Sequence, residues 1–279
     1  MKVYYGDNQF LGINHISENK AMEQAIRFSS PKRIFSVLEK AFSFGADAFM
    51  CTTHELLQPV FDIFKGSSIS DGEVIPCIPY AHKYSSLVTN KGWKGILQLV
   101  AQAGVGKLVG RGVAYTISSD TTRLMKSLVD LELASIKGLN VSKVFLQNAV
   151  TDLLLGLGLV DILVSFGEYI QNKYKMQFGF ITMNYPSLVK VLIGTSCEKA
   201  WICFPYNPIG FRMNPSQTKV EEAAKERSNN IAMSILASGA VSVDQSVDYI
   251  DNSGSIDAVL FGASSAGHIR DTIQAFKNE

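Results

Sequence analysis

Histidine is scarce in this chain, and three of its four copies, His15, His54 and His82, stand at the ends of three successive apolar, β-type runs at residues 10–16, 48–53 and 74–80. Imidazole titrates near neutrality, so groups at such positions can exchange protons with a substrate at physiological pH. Lys83 follows His82 directly and adds an amine that can act as an electrophile, a Schiff-base former or an anion-binding cation. His54, His82, Lys83 and His15 are therefore the expected catalytic groups. The same three imidazoles, with a position left open, would suit a divalent metal such as zinc. No His-x-His pair marks a preformed bite, so His15, His54 and His82 are kept as a metal alternative only.

Groups at the ends of consecutive strands share a site only if the strands are parallel neighbours. Short runs rich in β-branched and aromatic residues alternate with stretches of helical periodicity along the whole chain, the pattern of a parallel sheet with crossover helices. Eight strands are expected at residues 10–15, 48–53, 74–80, 143–148, 178–184, 201–206, 231–237 and 258–262. Apolar residues at offsets of three and four give the intervening helices: Ile34, Val37, Leu38 and Ala41 after Ser30-Pro31; Leu124, Leu128, Leu131 and Ile136; Leu188, Val191 and Leu192; Ile269, Ile273 and Phe276. Eight such units predict an α/β chain of the (βα)8 TIM type, residues 1–279 as one domain. A helical and loop insertion after strand three, at about 84–120, is expected over the carboxyl rim. In such barrels that rim carries the reacting groups.

The rest of the predicted rim is rich in amides and hydroxyls: Asn14, Tyr80, Gln147, Asn148, Thr182, Asn184 and Asn207. Such groups orient a polar, hydroxylated ligand without adding charge. Arg212, in a loop shaped by Pro208, Gly210 and Pro215, is expected to clamp phosphate or carboxylate. Two turns of small residues, Ser238-Gly239 after strand seven and Gly262-Ala263-Ser264-Ser265 after strand eight, place backbone N–H groups where barrels commonly hold phosphate. The competing reading of the second turn is that a serine caps the helix and Gly262 fits the bend. The stretch Tyr4-Tyr5-Gly6-Asp7-Asn8-Gln9, placed before the first strand, is expected to close the barrel bottom, which leaves Asp7 a structural role.

Basic and acidic side chains balance at 26 to 25, so no global field draws in nucleic acid or an anionic bilayer. With 47% hydrophobic residues the chain can bury a large core, yet its longest apolar stretch, residues 153–166, is broken by Gly156, Gly158 and Asp161 and is too short to span a membrane. The first residues lack a secretory pattern. Cys51, Cys77, Cys197 and Cys203 show no Cys-x-x-Cys spacing, and three fall inside predicted strands. These features point to the cytoplasm, a small-molecule partner, neither nucleic acid nor membrane, and room for a homo-oligomer.

From Ile231 onward the chain resembles the end of the aldo-keto reductases, through Ala232-Met233-Ser234-Ile235-Leu236-Ala237-Ser238-Gly239, Val241-Ser242, and Val259-Leu260-Phe261-Gly262-Ala263-Ser264-Ser265 followed by His268-Ile269. The resemblance covers under a fifth of the chain. It implies that the last strand-to-helix turn holds the adenosine-side phosphate of NADPH. The family's catalytic set, an aspartate and tyrosine at strand two, a lysine on strand three and a histidine on strand four, is met by Lys83 alone. Here strand two ends Met50-Cys51-Thr52-Thr53-His54 and strand four ends Gln147-Asn148. The residues therefore predict a barrel enzyme acting on a phosphorylated or anionic sugar-like molecule by acid-base chemistry of the lyase or isomerase type. An NADPH-dependent, aldo-keto-reductase-like oxidoreductase is the alternative, and a barrel that binds a ligand without catalysis is a third. The cofactor stays open between NADPH, a divalent metal and none.

Overall fold

The structure, a computed structural model, describes residues 1–12, 23, 24, 26–79 and 114–277. Eight parallel strands close a barrel in sequence order: β1 (Lys2–Gly6), β2 (Ala48–Thr52), β3 (Glu73–Ile78), β4 (Lys143–Leu146), β5 (Gln177–Ile181), β6 (Trp201–Pro205), β7 (Asn230–Met233) and β8 (Ala258–Phe261). Around them run α1 (Pro31–Ser43), α2 (Gln58–Lys65), α3 (Ala114–Ser135), α4 (Asn148–Gly156), α5 (Val160–Tyr169), α6 (Tyr185–Leu192), α7 (Gln217–Lys225), α8 (Val243–Ser253) and α9 (Ala266–Lys277). The expected (βα)8 architecture is present. The expected insertion falls largely on residues 80–113, which lie outside the described residues; the helix at its end begins at Ala114.

The first strand is the main correction. It runs through Lys2–Gly6, not 10–15, because Val3, Tyr4 and Tyr5 already supply a β-branched and aromatic core, while Phe10 and Leu11 are folded back by turn bonds to the carbonyls of Asp7 and Asn8 at 2.8 and 3.2 Å. Phe10 packs edge-on against Tyr5 and Phe28, outside the barrel. The first strand thus ends at Gly6, and the expected strand end at His15 lies outside the described residues. Asp7, expected at the bottom, instead follows the carboxyl end of β1.

Strand alternation divides the core into two layers. Tyr4, Met50, Cys77, Phe145, Ile181, Cys203 and Ile231 point inward and fill the barrel, while Tyr5, Phe49, Val74, Phe180, Phe204 and Val259 point outward beneath the helices. Phe145 has room because Gly179, its neighbour on β5, has no side chain: a Cβ there would meet the Phe145 ring at 2.3 Å and the Trp201 carbonyl at 2.7 Å. The outer layer receives Ile34, Leu38 and Ala41 from α1, which starts at Ser30-Pro31 as expected. Each fully buried Ile or Leu stabilises the fold by about 1.5–3 kcal/mol. On α3 the expected stripe is rotated: Leu131 is 54% exposed, and Val129, Leu133 and Ile136 face the core.

Two polar devices lock the helical layer to the sheet. The Asn230 side chain, fully buried, donates to the carbonyls of Ala224, Arg227 and Ser255 and accepts from the Tyr185 hydroxyl at 2.7 Å, tying β7 to the flanking helices. Tyr185 also stacks on Phe204 with centroids 3.7 Å apart. At the seam, β1 pairs with β8 from Lys2↔Ala258 to Tyr5↔Phe261, and the Tyr5 hydroxyl donates to the Ala263 carbonyl. Lys277 reaches back from α9 to Asp47 at 3.1 Å.

Candidate active site

Because Asp7 follows β1, it belongs to the carboxyl rim. Its Oδ2 accepts the backbone N–H of Thr52 at 2.7 Å and the Thr52 hydroxyl at 2.8 Å, so one carboxylate clasps the ends of β1 and β2. It is buried, and no basic side chain pairs with it among the described residues. Burial pushes its pKa above the ordinary value, and the Thr52 bonds oppose that rise only in part. Beside it, Gln9 donates to the Gly6 carbonyl at 2.7 Å, and its Oε1 lies where a Cβ on Gly262 would come within 2.3 Å. Gly262 is thus needed to seat Gln9 against the end of β8. Oε1 of Gln9 and Oγ1 of Thr53 are buried without a hydrogen-bond partner among the described residues.

His54 caps the short 3-10 turn Glu55–Leu57 that follows β2, its Nδ1 accepting the Leu56 N–H at 2.9 Å. With Nδ1 an acceptor, the neutral ring carries its proton on Nε2. His15, His82, Lys83, Asn14 and Tyr80 lie outside the described residues, and with them two of the three imidazoles of the metal alternative. Among the described residues no cluster of three His, Cys, Asp or Glu side chains could hold a metal ion.

Farther round the rim, the buried Thr182 hydroxyl donates to Asp152 on α4 and accepts the Asn184 N–H at 2.9 Å, while the other Asp152 oxygen accepts the Met183 N–H at 2.9 Å. Asp152, six residues past the end of β4, is what organises the end of β5. Gln147 precedes α4, its N–H bonded to the Ile78 carbonyl at 2.9 Å, and Asn148 opens that helix. The Asn207 amide is engaged at both ends by the backbone of Phe211, at 2.9 and 2.8 Å, so it staples its own loop. Arg212 sits in the same loop with φ +61° and its guanidinium 5.3 Å from the Phe211 ring centroid.

The two small-residue turns differ in kind. After β7 the chain makes a 3-10 turn over Ala237–Gly239 with φ of +44°, +60° and +95° at its three residues, and Ser238 and Gly239 are exposed. After β8, Ser265 accepts the His268 N–H at 3.3 Å and so caps α9, as the competing reading held, while Ala263 and Ser264 are half-buried. Both turns nevertheless lie on the carboxyl rim, at the ends of adjacent strands.

The signal that would have located Asp7, Gln9 and Thr52 was Val3-Tyr4-Tyr5, read as a lead-in and not as a strand. Moving the first strand earlier brings Asp7 to the rim with no further assumption.

No protein-family model matches the chain, and no curated protein matches it. Among solved structures, a protein from Pseudomonas aeruginosa assigned as an aldo-keto reductase superposes with a TM-score of 0.61 at 11% identity, covering 99% of this chain and 89% of that one. An aldo-keto reductase from a Medee basin deep-sea metagenome library gives 0.54 at 8% identity over 88% and 80% of the two chains. Aldose reductase from Giardia lamblia gives 0.50 at 11% over 89% and 84%. The chain thus has an aldo-keto-reductase-like (βα)8 barrel. This corrects the expectation of lyase or isomerase chemistry, since the solved barrels that share the fold are reductases.

Proposed function

We propose that the chain is an oxidoreductase of the aldo-keto reductase type, reducing a small hydroxylated carbonyl compound at the carboxyl rim with a nicotinamide dinucleotide. The observation that carries this reading is the match to reductase barrels over nearly the whole chain, joined to the placement of the Ser238-Gly239 and Gly262–Ser265 turns side by side on that rim. The reading takes residues 1–279 as one domain working in the cytoplasm.

The described residues fit the phosphate end of such a cofactor. A side chain added at Gly239 or Gly267 would meet nothing within 4 Å, so the backbone there is open to an approaching group. The free N–H groups at the start of α9 favour negative charge. His268 and Arg270, both exposed, flank the approach. Ser264, Ser265 and Ser238 would hold the phosphates. When bound, the reduced nicotinamide supplies the hydride.

The protein's part is to bind, orient and polarise. We assign polarisation of the carbonyl oxygen to a hydrogen bond from the His54 Nε2–H, since Nδ1 accepts the Leu56 N–H, with the proton that the oxygen finally takes supplied from solvent. Asp7 holds the ends of β1 and β2 in register beneath it. Asn184, Gln147 and Asn148 would orient the substrate hydroxyls, with Thr182 holding Asp152 and the end of β5 in place and Arg212 at the edge for an anionic group. His82 and Lys83 remain candidates for a proton-transfer or charge-stabilising role.

Titration with NADPH tests the reading. At a hundred times Kd, a ligand of the native state adds about 2.7 kcal/mol to stability and raises the melting temperature accordingly. His54→Phe is expected to leave that shift intact and lower kcat for aldehyde reduction by about 10²–10⁴. Absence of any NADPH-induced shift at millimolar concentration would refute the proposal.

A further inference from the structure

The opposite, amino-terminal end of the barrel carries a depression broadly open to solvent. Its floor is built from the residues that open four strands, Lys2 of β1, Lys143 of β4, Gln177 of β5 and Trp201 of β6, with Tyr174 and Lys175 from the turn before β5. Its volume is about 470 Å³, within the range of about 300–1,000 Å³ typical of small-molecule sites. Deeper in the barrel lie Tyr4, Ala48, Ile75, Phe145 and Ile231.

The chemistry of this lining is one-sided. Lys143 is buried, pairs with Glu73 at 2.9 Å and lies 5.8 Å from the Trp201 ring centroid, so its charge is matched and serves as a fixed wall. Lys2 and Lys175 are exposed and have no ion pair among the described residues. The Trp201 indole N–H donates to Gln177 Oε1 at 3.1 Å, which leaves the Gln177 amide N–H groups facing outward as donors. The Tyr174 hydroxyl is directed away, to Asp130 at 2.6 Å. Two unmatched ammonium groups and an amide donor therefore stand around a half-buried indole, while the Glu73 carboxylate beside the lining is taken up by Lys143 and the Ser142 hydroxyl. Such a set satisfies oxyanions by charge-assisted hydrogen bonds, and the indole offers a flat apolar surface.

We infer that the amino-terminal mouth of the barrel binds a small oxyanion carried on a planar ring, an aryl phosphate or aryl carboxylate, between Lys2 and Lys175 with its ring against Trp201. The site is separate from the carboxyl rim and independent of the reductase reading. With only two tryptophans in the chain, the Trp201 indole N–H resonance can be assigned by comparison with a Trp93→Phe variant.

The test is a titration of the full chain with phenyl phosphate, benzoate and inorganic phosphate while that resonance is followed. A saturable shift is expected with phenyl phosphate, benzoate or both, the stronger one showing which oxyanion is preferred. Affinity should fall at least tenfold in Lys2→Gln/Lys175→Gln and be retained in Lys2→Arg/Lys175→Arg. NADPH-induced stabilisation, a property of the other rim, should be the same in all three proteins. An unmoved Trp201 resonance, or equal binding by the Gln variant, would overturn the site. Inorganic phosphate binding as tightly as the ring-bearing ligands would overturn the role given to the indole.

Discussion

Gly179→Val is expected to destabilise the protein by about 3 kcal/mol or more, at or beyond the top of the usual range for overpacking a core. The new Cβ would sit 2.3 Å from the Phe145 ring and 2.7 Å from the Trp201 carbonyl. A ring can swing aside, but the carbonyl belongs to the backbone of the adjoining strand and cannot move without opening the sheet. Phe145→Ala should cost about 3–5 kcal/mol by leaving a cavity at the same spot. Because the two positions contest one volume, Phe145→Ala/Gly179→Val should be more stable than the sum of the single changes implies. Urea denaturation midpoints of the four proteins settle the matter. A cost below about 1 kcal/mol for Gly179→Val would mean that Phe145 does not fill the barrel as described.

The second large effect concerns pH. Burial raises the pKa of Asp7 in the folded state above its unfolded value, so the native protein holds a proton that the unfolded chain releases. Unfolding free energy therefore falls as pH rises from the ordinary aspartate range, about 3.9, through the raised folded value, and is flat beyond it. Each pH unit of that displacement costs about 1.4 kcal/mol. Asp7→Asn keeps an oxygen for the Thr52 donors and removes the ionisation. It should match the wild type in acid and exceed it in stability at neutral and alkaline pH, with that falling segment gone from its profile. Parallel stability profiles for the two proteins would contradict the raised pKa.

Much of the architecture was legible because helices and inner strands obey simple periodicities. Ile34, Leu38 and Ala41 repeat at helical spacing, and Ala48 through Thr52 or Trp201 through Pro205 are short apolar runs bounded by polar residues. Strand ends were drawn up to four residues late, as at Ala237 against Met233, because apolar residues continue past the last ladder bond into buried loops. The first strand differs for a related reason: Phe10 is apolar because it packs on the outside of the barrel, and both it and Leu11 are folded back by turn bonds and do not pair in the sheet. That error carried into the candidate site. It brought His15 into a strand-end group and put Asp7 at the wrong end of the molecule. Gln147, Asn148, Thr182 and Asn184 come directly after the ends of β4 and β5, whereas the clasp of Asp7 on Thr52 and of Asp152 on Thr182 could not be read from spacing. Both join residues that only the closed barrel brings together.

The seam between β1 and β8 also bears on how the protein is made. A ribosome delivers β1 first and β8 last, so the edge of β1 that will pair with Ala258–Phe261 stays without its partner until the other strands have emerged. Val3, Tyr4 and Tyr5 can dock on β2 early, but the Tyr5 hydroxyl has no Ala263 carbonyl to bond until residue 263 has been made. An unpaired strand edge invites pairing with other chains. The nascent protein is thus most exposed to misassembly over the longest part of its synthesis at its own first strand, which makes residues 2–6 the segment where a chaperone's protection would matter most.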